Sequence, residues 1–184
     1  MKCYLIRHGA DDTTRRGGWS DAPLTEQGVE QVEKLADSLV NHPNFRVTHL
    51  FSSDIVRAAE TAQIIGHRLD LPVEYLPQFR ETNNGCLAGM KNEEALIIYP
   101  GLFWNTLGWD ECYPNGESPR QFYERIKSAW EKFKPHIEKI DEDVMLVTHG
   151  GVINVIYHIE NGLVYSNKGN EFRVGYAQMM TVDI

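Results

Sequence analysis

Short apolar runs alternate along the chain with longer segments in which apolar residues recur every three or four positions. Four of the runs have the length of a β-strand: residues 3–6, 48–51, 73–76 and 144–147. Strands that alternate with helices build a mostly parallel sheet that is covered on both faces. The pattern therefore predicts an α/β fold, a three-layer α/β/α sandwich with a mostly parallel central sheet, and one or two closing strands within residues 172–182.

Three helices are predicted by the longer periodic segments. The first begins after Thr25, a residue type favoured at helix N-caps, and ends before Pro43. The second follows Ser53 and the third spans residues 119–140, while residues 144–159 contain a strand, a turn and a further helix. The apolar faces of the three helices are Val29, Val32, Leu35 and Leu39; Ala58, Ala62, Ile65 and Leu69; and Phe122, Ile126, Trp130, Phe133 and Ile137. We expect each face to be buried in the core.

Composition and charge narrow the class of protein. The chain has 184 residues and shows neither an internal repeat nor a linker-like segment, which predicts a single domain over residues 1–184. With 18 basic against 26 acidic side chains, the formal net charge is −8, and this balance disfavours nucleic acids and anionic membranes as partners. Taken alone, the same balance also argues against an enzyme that handles phosphate.

The cysteines and the first residues of the chain bear on its location. Cys3, Cys86 and Cys112 form no CxxC pair, so the sequence supports neither a zinc ribbon nor a disulfide framework. Reduced thiols are typical of cytosolic proteins, and no targeting segment is visible before Arg7. A cytoplasmic location is therefore expected, whereas a monomer and a homodimer both stay open.

Cationic and proton-carrying side chains follow three of the predicted strands. Arg7 and His8 follow the first strand, Arg57 lies one turn into the helix after the second, and His149 and Gly150 follow the fourth. The carboxyl ends of parallel strands lie at one edge of a sheet, where α/β folds bind their ligands. Each residue alone has an ordinary explanation, such as a turn histidine or a solvated helix arginine. Together, beside helix N-termini, they indicate a site in which arginines hold the oxygens of a phosphate.

Six short motifs follow one another in a fixed order over nearly the whole chain. They are Leu5-Ile6-Arg7-His8-Gly9, which contains the RHG motif, Ala22-Pro23-Leu24-Thr25-Glu26-Gln27-Gly28, Ser52-Ser53-Asp54-Ile55-Val56-Arg57-Ala58, Glu81 with Gly85 and Gly89, Gly116-Glu117-Ser118, and Val147-Thr148-His149-Gly150-Gly151-Val152-Ile153. The set resembles the motifs of the histidine phosphatase superfamily, also called the phosphoglycerate mutase-like family. Any one motif is short, whereas the ordered set is specific.

The resemblance implies a metal-independent mechanism through a phosphohistidine intermediate, with no cofactor. In this mechanism His8 is the nucleophile that takes the phosphoryl group, and Glu81 protonates the leaving oxygen and then activates water. His149 is also counted as catalytic. The phosphate-binding residues implied by the resemblance are Arg7, Arg57, His149, Thr14 and Gly150. Fixed positive charges of this kind supply most of the catalysis in phosphoryl transfer.

Two positions depart from the family pattern. Thr14 stands where the family often has an asparagine, and Ala10 replaces the polar residue that is common after the signature glycine. Residues 11–19 are therefore the segment to which the resemblance transfers least. Within them Arg15, Arg16 and Trp19 form either a lid over the substrate or a solvated loop.

These residues favour hydrolysis of a phosphomonoester, with a small phosphorylated metabolite as the substrate. Mutases of the family resemble Glu-Arg-x-Tyr-Gly after the catalytic acid, whereas this chain has Glu81-Thr82-Asn83-Asn84-Gly85. A phosphoglycerate mutase-type phosphotransferase and a catalytically silent phosphate-binding module remain the alternatives. A metallohydrolase that uses the two histidines is disfavoured, because no HxxxH motif or carboxylate cluster accompanies them.

The identity of the leaving group stays open at this point. α-Ribazole phosphate, sugar phosphates, phosphoglycerates and nucleotides are all candidates. Tyr99, Trp104, Trp109 and Tyr113 lie in the variable middle of the chain and either line a specificity pocket or pack in the core. The net charge of −8 does not exclude these substrates, because salt screens distant surface carboxylates beyond about 8 Å while the clustered cations act locally.

Overall fold

The computed structural model describes residues 1–169 and 171–184, which form a sheet with helices packed on both of its faces. The strands are β1 (Lys2–Arg7), β2 (His49–Ser52), β3 (Val73–Tyr75), β4 (Val144–Thr148) and β5 (Met179–Asp183). The helices are α1 (Glu26–Val40), α2 (Val56–Leu69), α3 (Asn92–Ile98), α4 (Pro119–Glu138) and α5 (Gly150–Glu160), with 3-10 turns at Pro77–Phe79 and Gly85–Leu87. The predicted three-layer α/β/α sandwich is confirmed.

The sheet has the strand order β3-β2-β4-β1-β5. The first four strands in this order run parallel, as predicted, and β5 pairs antiparallel with β1. The four predicted strands agree with the structure to within one residue at each end. In the closing segment, residues 179–183 form the one strand, whereas residues 172–178 run as a loop past the carboxyl end of β1.

Each face of the sheet carries its own hydrophobic core. In β4, Val144 and Leu146 pack with α4 and α5, while Met145 and Val147 pack with α1 and α2. All four side chains are fully buried. A central parallel strand that is covered on both faces reads as an unbroken apolar run, and this explains why its sequence predicts a strand without alternating polar positions.

Local signals in the sequence set the helix starts that matter for the site. The Thr25 hydroxyl caps α1 by accepting a hydrogen bond from the Gly28 amide at 3.1 Å. Gly28 also lets the loop after β1 approach the helix, because a Cβ atom there would lie 2.1 Å from the carbonyl oxygen of Ala10. This contact brings the chain segment after His8 against α1.

The periodicity did not indicate α3, which spans seven residues. So short a helix has just under two turns, and this is too short for apolar spacing to distinguish it from a loop. In addition, Leu96, Ile97 and Ile98 are exposed, so the apolar residues of α3 do not mark a buried face. Among the residues described, no helix combines the length and the apolar character needed to cross a membrane.

Candidate active site

The carboxyl ends of the three central strands bring the predicted site residues together. Arg7 is the last residue of β1 and lies opposite Thr148, the last residue of β4. The amide of His8 donates to the Thr148 carbonyl at 3.0 Å, and the amide of Ser53 donates to the Val147 carbonyl at 2.9 Å. These backbone bonds continue the sheet for one residue beyond its strands, so His8, Ser53 and the start of α5 share one edge.

His8 is held in one tautomer by its two ring contacts. Its Nδ1 atom lies 2.7 Å from the carbonyl oxygen of Gly9, and the Nε group of Arg57 donates to its Nε2 atom at 3.2 Å. A carbonyl only accepts and a guanidinium only donates, so the proton is on Nδ1 and the lone pair is on Nε2. The ring is 4% exposed. The ring lone pair is thus on Nε2, on the side of Arg57.

Arg57 lies near the start of α2 and is 2% exposed. Its guanidinium donates to the Gly18 carbonyl at 2.8 Å and to the carbonyl and hydroxyl oxygens of Ser20 at 3.3 and 3.4 Å. Its Nε atom also lies 3.4 Å from a carboxylate oxygen of Asp11. The loop over residues 17–20 therefore fixes the orientation of this cation beside His8.

Arg7 is oriented by the loop that precedes β5. Its Nη1 group donates to the Val174 carbonyl at 2.9 Å, and its guanidinium carbon lies 4.0 Å from the centre of the Tyr176 ring. Its Nε atom is buried and has no hydrogen-bond partner among residues 1–169 and 171–184. An unpartnered buried donor costs free energy, so an acceptor supplied by a ligand is favoured at this position.

Glu81 follows the 3-10 turn at Pro77–Phe79 and is tied down at both its backbone and its carboxylate. Its carbonyl oxygen accepts from Trp19 Nε1 at 2.6 Å and from Arg125 Nη2 at 3.0 Å. Its carboxylate oxygens accept from the amides of Thr82 and Gly151, each at 3.0 Å. A Cβ atom at Gly151 would lie 2.4 Å from Glu81 Oε1, so glycine is required for this approach.

His149 occupies the N-cap position of α5, without a capping hydrogen bond from its side chain, and is fully buried. Its Nε2 atom lies 2.9 Å from the Ser53 hydroxyl, and its ring centre lies 5.2 Å from that of His8. No described residue forms a hydrogen bond with its Nδ1 atom. The ring of His149 is therefore a close buried neighbour of the His8 ring.

Burial determines the charge state of both histidines. It lowers the pKa of His8 well below its ordinary value of 6.5, and the positive charge of Arg57 lowers it further. The same two causes, in the same order, hold the pKa of His149 well below 6.5. Both rings are therefore neutral at physiological pH, as a nucleophilic imidazole requires.

The lowered pKa values predict that acid destabilises the fold. The unfolded chain gains a proton on each of these histidines as the pH falls through about 6.5, whereas the folded chain does not. Stability rises with pH wherever the unfolded state binds more protons. We therefore expect the free energy of unfolding to fall, below pH 6.5, by about 1.4 kcal/mol per pH unit for each histidine. Urea denaturation at pH 7 and pH 5 measures the loss.

A His8→Gln variant isolates one of the two contributions. It should lose less stability than the wild type over the same pH interval, because one of the two buried neutral imidazoles is removed. His67→Gln is the matched control, because His67 is exposed at the end of α2, and it should leave the pH dependence as in the wild type. An identical loss in His8→Gln and the wild type contradicts the neutral, buried state of His8.

A cleft of about 350 Å³ opens at this edge of the sheet. Four of the predicted residues, Arg7, His8, Arg57 and Glu81, line it. The other three predicted residues, His149, Gly150 and Thr14, do not. His149 is fully buried next to His8, Gly150 lines a neighbouring cavity, and the exposed Thr14 donates its hydroxyl to Asp12 Oδ1 at 2.6 Å.

Sequence reasoning did not identify three further residues of the site. Asp11 and Tyr176 line the cleft, and Ser53 contacts His149. Asp11 carries a signal in hindsight, since it adds a carboxylate next to the RHG motif. Tyr176 carries no such signal in the sequence. It reaches Arg7 because β5 pairs antiparallel with β1, and no local pattern predicts that pairing.

The chain is similar in sequence to known proteins. The sequence matches the family model described as the histidine phosphatase superfamily (branch 1) over residues 3–184. Phosphoglycerate mutase-like protein 4 of Arabidopsis thaliana is 31% identical over 160 residues, which cover 83% of this chain and 68% of that protein. Probable phosphatase C1687.21 of Schizosaccharomyces pombe is 28% identical over 181 residues, which cover 95% of this chain and 81% of that protein.

Solved structures show the same fold. A mycobacterial glucosyl-3-phosphoglycerate phosphatase superposes with a TM-score of 0.78 at 26% identity, covering 99% of this chain and 89% of that one. YhfR of Bacillus stearothermophilus superposes with a TM-score of 0.84 at 23% identity, covering 100% of this chain and 91% of that one. The second similarity concerns the fold alone.

Proposed function

The chain belongs to the histidine phosphatase superfamily, and on that premise we propose that it hydrolyses a small phosphorylated metabolite through a phosphohistidine intermediate on His8. The observation that carries the proposal is the Nε2 lone pair of His8, which accepts a hydrogen bond from Arg57 at the cleft that both residues line together with Arg7. A neutral imidazole beside two guanidinium groups suits attack on a phosphate dianion, because the cations hold the oxygens while the nitrogen approaches phosphorus.

The first step transfers the phosphoryl group to the enzyme. Nε2 of His8 forms a bond to phosphorus as the bond from phosphorus to the leaving oxygen breaks. Glu81, with its proton, gives that proton to the leaving oxygen, so an alcohol departs. Arg7 and Arg57 stabilise the negative charge on the oxygens of the transferring group, which is the main contribution expected of a protein in this chemistry.

The second step returns the enzyme to its starting state. Water attacks phosphorus, its proton passes to the Glu81 carboxylate, and the bond between nitrogen and phosphorus breaks. Phosphate leaves, and Glu81 again carries the proton that the next cycle needs. The two amide hydrogen bonds at the Glu81 carboxylate keep it at the cleft throughout. His149 is fully buried, outside the lining of the cleft and 5.2 Å from His8 between ring centres, so the phosphate contact expected of it stays a prediction.

No metal ion has a part in the proposed mechanism. The charge that an ion would supply to the phosphate oxygens comes from Arg7 and Arg57. Among the described residues, no group of three or more His, Cys, Asp or Glu side chains is arranged to hold a metal.

Product analysis tests the proposal against its alternatives. The enzyme is given 3-phosphoglycerate, a sugar phosphate and p-nitrophenyl phosphate, with and without EDTA, and both free phosphate and rearranged phosphoester are measured. We expect release of phosphate, no net isomerisation and no effect of EDTA. Net isomerisation faster than phosphate release identifies a mutase instead. Inhibition by EDTA identifies a metallohydrolase, and the absence of both turnover and a trapped phosphoenzyme identifies a silent binding module.

A further inference from the structure

A second cavity, of about 590 Å³, adjoins the catalytic cleft. The two share four lining residues, Arg16, Gly17, Gly18 and Glu81. Since Glu81 is the proposed acid, the group whose oxygen it protonates extends from the cleft toward this neighbouring cavity. The walls include the aromatic residues Phe103, Trp104, Tyr113 and Tyr165. The cavity therefore has the position and the size of a pocket for the leaving group.

The charge of this cavity is opposite to that of the chain. Three cationic residues, Arg16, Lys168 and Arg173, line it, and Glu81 is the one acidic residue among the described residues that line it. The formal net charge of the whole chain is −8. Binding is governed by the charges that lie close to the ligand, because distant surface charges are screened. The cavity is suited to an anion.

Arg16 is the cation at the junction of the cavity and the cleft. Its guanidinium carbon lies 4.4 Å from the centre of the Phe103 ring. Its Nε atom is buried and has no hydrogen-bond partner within the described part of the chain. The neighbouring Arg15, in contrast, lies 3.4 Å from Asp12 and donates to the Gly89 carbonyl at 2.9 Å. An arginine that is stacked but unpaired is preorganised for a ligand.

Lys168, a second cation of the cavity, is held in place by backbone carbonyl oxygens. Its ammonium group donates to the carbonyl oxygens of Asn105, at 2.9 Å, and Leu107. An ammonium group has three donors, so one remains available after these two bonds. The lysine is therefore anchored by backbone oxygens, and no carboxylate among the described residues forms an ion pair with it.

We propose that the leaving group of the substrate carries a second oxyanion, a carboxylate or a phosphate, and that Arg16 binds it in this cavity. The inference rests on the proposed hydrolase function and adds a substrate class to it. The planar fork of a guanidinium matches two oxygens of a carboxylate or phosphate, which favours an oxyanion over a single acceptor. The aromatic walls then contact the carbon skeleton between the two anionic groups.

Matched pairs of substrates test the inference. The first pair is 3-phosphoglycerate and glycerol 3-phosphate, which differ by a carboxylate in place of a hydroxymethyl group. The second pair is fructose 1,6-bisphosphate and fructose 6-phosphate, which differ by a phosphate. In the wild type we expect kcat/KM to favour the doubly anionic member of at least one pair by about tenfold or more. Preference within the first pair would identify the second oxyanion of the substrate as a carboxylate. Preference within the second pair would identify it as a phosphate.

Substitution of Arg16 should remove this preference. In Arg16→Gln the ratio of kcat/KM between the two members should fall about 10- to 100-fold, while Arg16→Lys, which keeps the charge but loses the fork, should retain part of it. Arg120→Gln is the control, since Arg120 pairs with Asp110 at 2.5 Å and lines neither cavity. A preference that is absent in the wild type, or unchanged in Arg16→Gln, overturns the inference.

A binding measurement separates this inference from the hydrolase proposal. In the His8→Ala background, calorimetry with the same four compounds should show tighter binding of the preferred anionic member, and Arg16→Gln should abolish the difference. Binding that depends on Arg16 without turnover in the wild type supports the anion site and overturns the hydrolase. Turnover with no dependence on Arg16 in either assay supports the hydrolase and overturns the anion site.

Discussion

His8→Ala is expected to lower kcat on every phosphomonoester by about 10⁴-fold or more, because it removes the atom to which the phosphoryl group is transferred. The lone pair on His8 Nε2 accepts a hydrogen bond from Arg57, and both residues line the cleft. With the nucleophile absent, the arginines can still bind phosphate, so affinity should fall far less than turnover. Rapid acid-free quenching of the enzyme with ³²P-labelled substrate measures the covalent intermediate as a protein-bound label.

Two further variants make the result specific. His8→Asn retains a donor near the Gly9 carbonyl and should fold like the wild type, yet it should form no labelled protein. His67→Gln, at an exposed position on α2, should label and turn over normally. Label that persists in both His8 variants would show that another residue accepts the phosphoryl group, and the assignment of His8 would be wrong.

Glu81→Gln should slow hydrolysis of an alkyl phosphate about 10²- to 10⁴-fold. An alkoxide is a poor leaving group unless it is protonated, and glutamine has no acidic proton to give. Nitrophenolate leaves without protonation, so the first step with p-nitrophenyl phosphate should be slowed far less. Because water then lacks its general base, the phosphoenzyme should accumulate. Stopped-flow kinetics should show a burst of nitrophenolate equal to the enzyme concentration, followed by slow turnover.

Asp11→Asn is the matched control, because Asp11 is a further carboxylate of the cleft and the one that lies beside Arg57. Its carboxylate lies 3.4 Å from Arg57 Nε and competes with a bound phosphate for that cation. The substitution should therefore lower the inhibition constant of inorganic phosphate about three- to tenfold, with the leaving-group dependence of the wild type intact. A burst in Asp11→Asn together with unchanged kinetics in Glu81→Gln would transfer the acid–base role to Asp11.

The sequence predicted those elements in which the local preference of the residues for a helix or a strand agrees with their burial in the fold. Residues 144–147 are an unbroken apolar run and form the central strand β4. Thr25 has the N-cap side chain that a helix start favours, and it caps α1. The helix α3 lacked such agreement, since its seven residues expose three large apolar side chains in a row. Tertiary contacts, such as the amide of Asn92 donating to the Thr14 carbonyl, hold its start in place.

The sequence by itself determined the arginines and the histidine that line the site. Arg7, His8 and Arg57 sit at strand ends and within ordered motifs, and a parallel sheet places strand ends at one edge. These are local or periodic properties, so a linear pattern is sufficient to carry them. The same holds for the mostly parallel sheet and its two helical layers.

Only the tertiary structure decided how those groups are poised. The tautomer of His8 depends on Arg57, which is 49 residues away, and the carboxylate of Glu81 depends on the amide of Gly151, 70 residues away. Whether Arg16 was part of a solvated loop or of a binding site depended on the ring of Phe103 and the cavity beyond it. Contacts of this kind arise from the packing of distant segments, and burial, orientation and pKa follow from packing and not from residue order.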